Sequence, residues 1–354
     1  MTGEPVTKKV VLIHPTIRPV GVEILEGRAE VTLAPDGDER TVIDAINRTG
    51  AQAVIIRVES ATRAIFEACP SLCLVGMHGV GTDAIDLDAA TETGVLVLNT
   101  PWVNYKSTSE HALALLMAVA KKVMPGHRAV QDGAFVAYRN THLPQELEGK
   151  TLFVIGVGRI GGEMARKCRA AFNMRVLGID PAYDAEELAA KGVEQVTFEE
   201  GLAQADFVTI HTPLNPTTRK MMDARAFALM KPGAIFINDA RGGVMDQTAL
   251  LAALDSGHLA GAGLDVFDPE PVPAGDPVTR HPGVVMTPHF AGDTVEARSR
   301  CSMTIATAIM DALDGLPPEG AGSSLVSFTA APDGSALYLV RERSRNDIWL
   351  MRMP

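Results

Sequence analysis

Short apolar runs alternate with longer segments of helical periodicity along most of this chain. Such alternation is typical of parallel sheets whose strands are connected by crossover helices. The first part of the chain offers predicted strands near Val10–Ile13, Ala29–Leu33, Ala53–Arg57, Leu72–Gly76 and Val95–Leu98. The sequence therefore predicts an α/β fold that begins with a parallel sheet.

A second series of apolar runs follows a long helical segment that starts after Asn104 and continues to about Lys122. Ser107 or Thr108 is the predicted N-cap of that helix. The second series of predicted strands comprises Thr151–Ile155, Arg175–Ile179, Phe207–Ile210, Ala234–Ile237, Ala262–Val266 and Val284–Met286. Runs of this kind, separated by helical segments, resemble a complete doubly wound dinucleotide-binding domain.

The order of these segments predicts one domain inserted into another. The last helical pattern, roughly Thr294 to Leu313, would return to the first sheet. We therefore expect a first domain from residues 1–106 and 292–318, with an inserted doubly wound domain at 107–291. The tail, residues 319–354, begins within a linker rich in proline and glycine, Pro317–Ser324, and a hairpin around Pro332-Asp333-Gly334 is predicted beyond it.

Net charge and the length of the apolar stretches limit the partners and the location that this protein can have. The formal net charge is −11 at pH 7, which disfavours nucleic acid and anionic membranes as partners. The longest apolar stretch, Ala112–Ala120, is too short to span a bilayer, and residues 1–10 show no secretory signal. A cytoplasmic protein is therefore expected. A carboxylate substrate of such an acidic protein would need local positive charge.

No metal site is expected from the sequence. The cysteines Cys69, Cys73, Cys168 and Cys301 form no CxxC pair, and we interpret them as reduced thiols. The histidines at 78, 127 and 142 lack the spacing of metal ligands.

The segment from Gly156 to Gly161, with the sequence GVGRIG, is a GxGxxG motif between a predicted strand and a predicted helix. The first glycine permits a tight turn, Gly158 lets the backbone approach a pyrophosphate, and Gly161 lets the helix pack closely on the strand. The helix amino terminus offers free N–H groups and positive partial charge to phosphates. With Asp180 at the end of the next predicted strand, the motif indicates a dinucleotide site.

Asp180 would accept hydrogen bonds from the hydroxyls of the adenosine ribose. Because a carboxylate repels a 2′-phosphate, the sequence predicts NAD rather than NADP. The alternative is a structural glycine turn followed by a capping aspartate. The predicted cofactor contacts in this region are Gly156, Gly158, Arg159, Ile160, Gly161 and Asp180.

Polar residues recur where the predicted strands of the second series end. These are His211-Thr212-Pro213, the run from Asn238 to Gly242, Asp265, and Thr287-Pro288-His289. In an open α/β sheet, ligands bind outside the carboxyl ends of the strands. We therefore expect these residues to converge on one crevice, with His211 among the cofactor contacts.

The residue types suit reduction of a carbonyl group beside a carboxylate. Arg241 offers a planar fork of donors to the carboxylate and the carbonyl oxygen. His289 can give a proton to the developing alkoxide, and Glu270 can orient the imidazole and favour its charged form. Taken singly, each has a plainer interpretation, as a surface ion pair, a solvated loop carboxylate and a hydrogen-bonded loop histidine respectively.

Taken together, the motifs resemble the D-isomer-specific 2-hydroxyacid dehydrogenases. The matching segments are the GRIG of residues 158–161, NDARGG of 238–243, GLDVF of 263–267 with Glu270-Pro271, TPH of 287–289, and GVGTD of 79–83. The resemblance extends from about residue 8 to residue 315. It implies the roles given above for Arg241, Glu270 and His289.

The resemblance also implies further contacts and an assembly. Backbone N–H groups of Val80 and Gly81 would bind the substrate carboxylate, Asp265 would bind the nicotinamide amide, and Thr212 and Ala240 would lie along the cofactor. The first domain would be flavodoxin-like, the inserted domain a Rossmann NAD-binding domain, and the protein a homodimer. Arg57 is either a second substrate contact or an exposed strand end.

The expected activity is NAD(H)-dependent interconversion of a small 2-oxo acid, of the glyoxylate, hydroxypyruvate or phosphoglycerate kind, and its D-2-hydroxy acid. Two alternatives stay open at this point. One is a cofactor-sensing interaction protein, since the resembled family includes a transcriptional corepressor. The other is a formate or phosphonate dehydrogenase on the same scaffold.

Overall fold

The computed structural model describes residues 7–13 and 17–315, together with the backbone of two short strands at 329–330 and 337–338. Contacts divide the chain into a first unit, residues 1–104 with 295–354, and a second unit, residues 105–294. The predicted turn around Pro332-Asp333-Gly334 lies outside the described residues. The strand Thr329–Ala330 pairs antiparallel with Leu337–Tyr338, in keeping with the predicted hairpin.

The first unit is built on a parallel sheet of five strands. Its strands are β1 Lys9–Ile13, β2 Glu30–Ala34, β3 Ala53–Ile56, β4 Leu74–Met77 and β5 Leu96–Leu98. Their order across the sheet is β2-β1-β3-β4-β5, the order of flavodoxin-like folds. The α/β architecture expected from the alternating apolar runs is confirmed.

Helices cover both faces of this sheet. They are α1 Pro19–Glu26, α2 Glu39–Thr49, α3 Arg63–Ala68, α4 Leu87–Thr93 and, from the far end of the chain, α13 Val295–Leu313. One core contains Ile46 and Phe66 from α2 and α3. The opposite core contains Leu25 of α1 and Ile305 and Ile309 of α13. The last described helix therefore belongs to the first unit, as the order of the segments predicted.

The second unit is built on a parallel sheet of seven strands. These are β6 Thr151–Ile155, β7 Arg175–Ile179, β8 Glu194–Gln195, β9 Phe207–Ile210, β10 Ala234–Asn238, β11 Leu259–Leu264 and β12 Val284–Met286. The strand order is β12-β11-β10-β9-β6-β7-β8. The chain adds β7 and β8 on one side of β6 and then adds β9 to β12 on its other side, so the order of addition reverses beside β6. This is the doubly wound order, whose ligand site lies at the carboxyl ends beside that reversal.

Helices also pack on both faces of the larger sheet. They are α5 Tyr105–Ala120, α8 Arg159–Phe172, α9 Ala185–Ala190, α10 Phe198–Gln204, α11 Ala224–Leu229 and α12 Gln247–Asp255. Helix α6 Val123–Gln131 contacts α5, and helix α7 Phe135–Thr141 contacts α6. One core joins Leu115 of α5 to Met164 of α8. The other joins Phe227 of α11 and Leu250 of α12 to the sheet.

Three local predictions were wrong. Helix α5 begins at Tyr105, so Ser107 and Thr108 lie inside it, and the Ser107 hydroxyl instead bonds Thr294 Oγ1 at 3.0 Å. Strand β11 spans Leu259–Leu264, so it both begins and ends earlier than the predicted Ala262–Val266. The edge strand β8 was missed because its two residues, Glu194 and Gln195, are exposed and carry no apolar pattern.

Candidate active site

The turn between β6 and α8 has the form that a dinucleotide site requires. Gly156 has a φ of 87°, in the left-handed region that favours glycine. A Cβ at Gly161 would lie 2.0 Å from the Gly156 carbonyl oxygen, so the third glycine is needed for close packing. A Cβ at Gly158 would meet no described atom within 4 Å, which leaves space beside that backbone.

Asp180 lies directly after β7 and closes the same loop. Its Oδ2 accepts a hydrogen bond from Val157 N at 2.8 Å, and its Oδ1 accepts one from Ala182 N at 2.9 Å. These bonds hold the carboxylate beside the glycine turn. Arg159 and Ile160 open α8 and are half-buried. Open space at Gly158 and a fixed carboxylate together fit a dinucleotide with free ribose hydroxyls.

The residues after β9 adjoin this turn. A Cβ at Gly156 would lie 2.9 Å from the His211 carbonyl oxygen and 3.1 Å from Thr212 Cγ2. Thr212 Oγ1 is buried without a hydrogen-bond partner among the described residues. The His211 side chain is 1% exposed, and its Nε2 lies 2.9 Å from Thr209 Oγ1. Thr212 is thus available to a ligand, whereas the His211 imidazole faces the protein interior.

Arg241 follows β10 in a short loop held by Asn238. Asn238 Nδ2 donates to the Arg241 carbonyl at 2.9 Å, and Asn238 Oδ1 accepts from Ala240 N at 3.0 Å. A Cβ at Gly242 would lie 1.9 Å from the Phe267 carbonyl oxygen. Only glycine therefore lets the Arg241 loop approach the loop that follows β11.

The loop after β11 carries Glu270, which contacts His289 after β12. Glu270 Oε1 accepts from Phe267 N at 2.8 Å, and Oε2 lies 2.6 Å from His289 Nδ1. His289 has a φ of 50°, a backbone conformation that non-glycine residues adopt rarely and mostly at functional sites. Residues distant in the sequence are thus joined at one end of the sheet.

The charges of these residues influence one another. The hydrogen bond to Glu270 is the largest influence on His289 and raises its pKa above the ordinary 6.5, although burial and the charge of Arg241 oppose it. Burial is the largest influence on Glu270, yet the bonds from His289 and Phe267 and the charge of Arg241 hold its pKa below 4.5. The pair therefore favours an imidazolium beside a carboxylate.

Asp265 holds the loop that carries His289. Its carboxylate accepts from Thr287 Oγ1 at 2.6 Å, Phe290 N at 3.1 Å and Ala291 N at 2.9 Å, and its carbonyl accepts from His289 N at 2.8 Å. The side chain has no exposed surface. The predicted contact between this carboxylate and the nicotinamide amide stays a prediction, and the contacts observed here serve the His289 loop.

Two residues near these loops were not assigned a role from the sequence. His111 Nε2 lies 2.8 Å from Thr287 Oγ1, which extends the Asp265 network to α5. Asp239 lies against His211 with an Nδ1–Oδ1 distance of 3.0 Å. No spacing in the sequence predicts the contact of a single histidine in a helix, or that of an aspartate between Asn238 and Ala240.

The predicted substrate contacts of the first unit follow β3 and β4. Asn99 Nδ2 donates to the Val80 carbonyl at 2.8 Å, and Thr100 N donates to the Gly79 carbonyl at 2.8 Å. Within the described part of the chain, the N–H groups of Val80 and Gly81 donate to no protein acceptor. Arg57 is half-buried just beyond β3, and its N–H donates to Glu59 at 2.8 Å.

Comparison with known proteins identifies the scaffold. The sequence profile described as D-isomer specific 2-hydroxyacid dehydrogenase, NAD binding domain, matches residues 113–291, more than half of the chain. The chain belongs to the D-isomer specific 2-hydroxyacid dehydrogenase family. The resemblance noted in the sequence is confirmed, and the larger sheet with its glycine turn is the NAD-binding domain of this family.

Individual members of the family support this placement. The chain is 39% identical over 310 residues to D-3-phosphoglycerate dehydrogenase 3 (chloroplastic) of Arabidopsis thaliana, covering 87% of this chain and 52% of that protein. It therefore spans about half the length of the curated relatives it matches. The TT0316 protein of Thermus thermophilus is 33% identical, with a TM-score of 0.78 over 88% of this chain and 98% of that one.

A solved glyoxylate reductase from Paecilomyes thermophila is also similar. It is 28% identical, with a TM-score of 0.79, and the alignment covers 88% of this chain and 96% of that one.

Among the residues that the structure describes, no helix is long and apolar enough to cross a membrane. Nor do the described residues contain a group of three or more candidate metal ligands.

Proposed function

We propose that this chain is an NAD-dependent dehydrogenase that interconverts a small 2-oxo acid and its D-2-hydroxy acid. The observation that carries the proposal is the contact between His289 Nδ1 and Glu270 Oε2 at 2.6 Å. The positive charge of Arg241 acts on this pair, and all three residues lie in an NAD-binding domain. An acid, its orienting carboxylate and a cation for the substrate are the groups that reduction of a 2-oxo acid requires.

Arg241 binds the substrate carboxylate and polarises the adjacent carbonyl through its planar donors. Gly156, Gly158 and Asp180 would hold NADH, which when bound would supply a hydride to the carbonyl carbon. The carbonyl electron pair moves onto oxygen, and His289 donates its proton there. Because Nδ1 contacts Glu270, Nε2 is the nitrogen that gives the proton. In the oxidative direction the same nitrogen accepts it.

The remaining contacts extend this assignment. Val80 and Gly81 offer two backbone N–H groups to the carboxylate of the acid, and their lack of a described acceptor supports this role. Thr212 and Ala240 lie along the cofactor, and the unsatisfied Thr212 hydroxyl supports the first of these. Arg57 takes a second polar group of the substrate. Asp180 selects NAD over NADP.

The domain assignment follows the two units. Residues 1–106 and 292–318 form the substrate domain and residues 107–291 the cofactor domain, and the division near residues 104 and 294 supports these limits. The substrate is of the glyoxylate, hydroxypyruvate or phosphoglycerate class. Relatives named D-3-phosphoglycerate dehydrogenase and glyoxylate reductase support that class.

The protein acts as a homodimer in the cytoplasm. Apolar side chains on α6, on α7 and just beyond α7 support self-association, since Val130, Phe135, Val136 and Leu143 are each more than half exposed. Exposed apolar clusters of this kind mark interaction surfaces.

Sedimentation of the wild type beside a Val136→Glu variant tests the proposed homodimer. A dimer weakened by the glutamate supports association through these apolar side chains, and an unaffected oligomer contradicts it.

The activity is tested with the full chain, NADH and a panel of glyoxylate, hydroxypyruvate, pyruvate and longer 2-oxo acids, followed by nicotinamide absorbance. The same panel with NADPH measures cofactor preference, and NAD with formate or phosphite tests the alternative dehydrogenases. Turnover with at least one 2-oxo acid is expected. Tight NADH binding without turnover on any acid would favour a cofactor-sensing protein instead.

A further inference from the structure

A buried ionisable pair lies outside the roles assigned so far. His211 directly follows β9 and Asp239 directly follows β10, and these strands are neighbours in the sheet. Their side chains are 1% and 0% exposed, and His211 Nδ1 lies 3.0 Å from Asp239 Oδ1. The pair therefore connects two adjacent strand ends beneath the proposed active site.

Burial of the His211–Asp239 pair lowers the stability of the folded state relative to an apolar pair. Neither oxygen of the Asp239 carboxylate has a hydrogen-bond partner among the described residues, and the Nδ1–Oδ1 contact is an ion-pair distance without hydrogen-bond alignment. Burying ionisable groups with unfilled hydrogen-bonding capacity is unfavourable, and apolar residues would pack there at less cost. Such a pair calls for a task other than stability.

The two partners differ in how firmly they are held. His211 N donates to Ile155 O at 2.8 Å, and its Nε2 contacts Thr209 Oγ1 at 2.9 Å, so the backbone of His211 is fixed to β6 and its imidazole to β9. Asp239 lies in the short loop that leads to Arg241. Asn238 also ties that loop, because it bonds Ala240 N and Arg241 O, and Arg241 Nη1 donates to the Ala240 carbonyl at 2.7 Å.

We propose that His211 and Asp239 form a positioning pair that holds the Arg241 loop in register with the cofactor-binding end of β9. The inference rests on the proposed function, in which Arg241 binds the carboxylate of the 2-oxo acid. The pair acts through Arg241 and not on the reacting atoms. This positioning task belongs to the imidazole of His211, and the cofactor contact predicted for this residue from the sequence stays a prediction.

The test compares Asp239→Ala, Asp239→Asn, His211→Ala and the Asp239→Ala/His211→Ala double variant. The matched control is Asp206→Ala, which removes a carboxylate at the opposite end of β9 that contacts Lys231 at 2.6 Å and Thr151 N at 2.9 Å. The readouts are KM and kcat for the 2-oxo acid, the Kd of NADH, the thermal midpoint, and the Kd of oxamate for the NADH complex measured by calorimetry.

Asp239→Ala is expected to raise KM for the acid and Kd for oxamate at least about tenfold, because small displacements of a binding group are costly. The Kd of NADH should change less than about twofold, since the glycine turn is untouched. The double variant should be no worse than either single variant, the signature of two residues that act as a unit. Asp239→Asn, which keeps the size of the side chain, should lie between wild type and Asp239→Ala.

Unchanged KM and oxamate affinity in Asp239→Ala, with a thermal midpoint lowered as in Asp206→Ala, would overturn the inference. An equal rise in KM for the acid in Asp239→Ala and in the control Asp206→Ala would also overturn the inference. If Asp239→Ala does not fold, Asp239→Asn and His211→Ala give the same comparison. A wild type that binds oxamate yet reduces no acid contradicts the proposed function, while the oxamate series still decides the positioning pair.

Discussion

His289 Nδ1 lies 2.6 Å from Glu270 Oε2, although 19 positions separate the two residues. The second oxygen of Glu270 is held by Phe267 N, so the carboxylate has a fixed orientation. The imidazole is therefore oriented by a group that is itself oriented, and its charged form is favoured. This relationship gives the reaction a defined proton donor and a defined dependence on pH.

Replacing Glu270 with glutamine should move the pH profile of reduction. His289 is the acid, and Glu270 raises its pKa above the ordinary 6.5, so reduction in the wild type persists as pH rises and fails only above that raised value. Without the carboxylate the pKa of His289 falls, and the loss of activity should begin at a lower pH. The measurement is kcat/KM for the acid with NADH as a function of pH.

Glu199→Gln is the control for that profile, because Glu199 is an exposed carboxylate paired with Arg225 at 3.2 Å. Its profile should match the wild type. A Glu270→Gln profile that loses amplitude but keeps its midpoint would show that Glu270 has no electrostatic influence on the acid.

Replacing Arg241 with lysine should impair substrate binding while keeping the charge. Lysine offers no planar fork, so kcat/KM for the 2-oxo acid should fall by about tenfold to a hundredfold, with NADH affinity nearly unchanged. Steady-state kinetics and NADH titration measure the two effects. Arg225→Lys, at an exposed position of α11, is the control. An Arg241→Lys enzyme with wild-type kinetics would remove Arg241 from the site.

Replacing Asp180 with alanine should relax the preference for NADH over NADPH. The carboxylate is held beside the glycine turn by Val157 N and Ala182 N, where it would repel a 2′-phosphate. The ratio of kcat/KM for NADPH to that for NADH should therefore rise. Asp184→Ala removes the N-cap of α9, which costs about 1 kcal/mol, and should leave the ratio unchanged. An unchanged ratio in Asp180→Ala would place the selectivity elsewhere.

Replacing Asp265 with asparagine distinguishes its two possible roles. The amide has one acceptor oxygen, so a backbone N–H of the His289 loop loses its partner at a cost of about 1–3 kcal/mol. If Asp265 holds that loop, turnover and thermal stability should fall while the Kd of NADH stays nearly constant. A large loss of NADH affinity with normal turnover at saturation would instead support the nicotinamide contact predicted from the sequence.

Much of the fold could be predicted because strand periodicity and the glycine turn are local signals. Strand β6 and the GVGRIG turn have the positions that the sequence indicates, since apolar runs and Gly156 act through their immediate neighbours. The N-cap of α5 could not be predicted in this way, although its start after Asn104 was. The hydroxyl of Ser107 has a distant partner in Thr294, and local capping rules do not include such a contact.

The site shows the same division between local and distant signals. The positions of Arg241, Glu270 and His289 in the loops after β10, β11 and β12 could be predicted from the apolar runs that precede them. Their catalytic roles stay predictions. The His211–Asp239 pair and the His111–Thr287 contact depend on which strands are neighbours and on side-chain orientation. Neither is encoded by spacing in the chain, so these residues became apparent only in the folded structure.

The most direct measurement follows the hydride itself. Hydroxypyruvate is reduced by the wild-type chain with NADH carrying deuterium at C4 of the nicotinamide, and the product is analysed by mass spectrometry and chiral chromatography. We predict glycerate of the D configuration with deuterium at C2 from one C4 epimer of the cofactor, and a rate lowered by about a hundredfold or more in His289→Asn. Unlabelled glycerate, L-glycerate, or an undiminished rate without His289 would contradict the account.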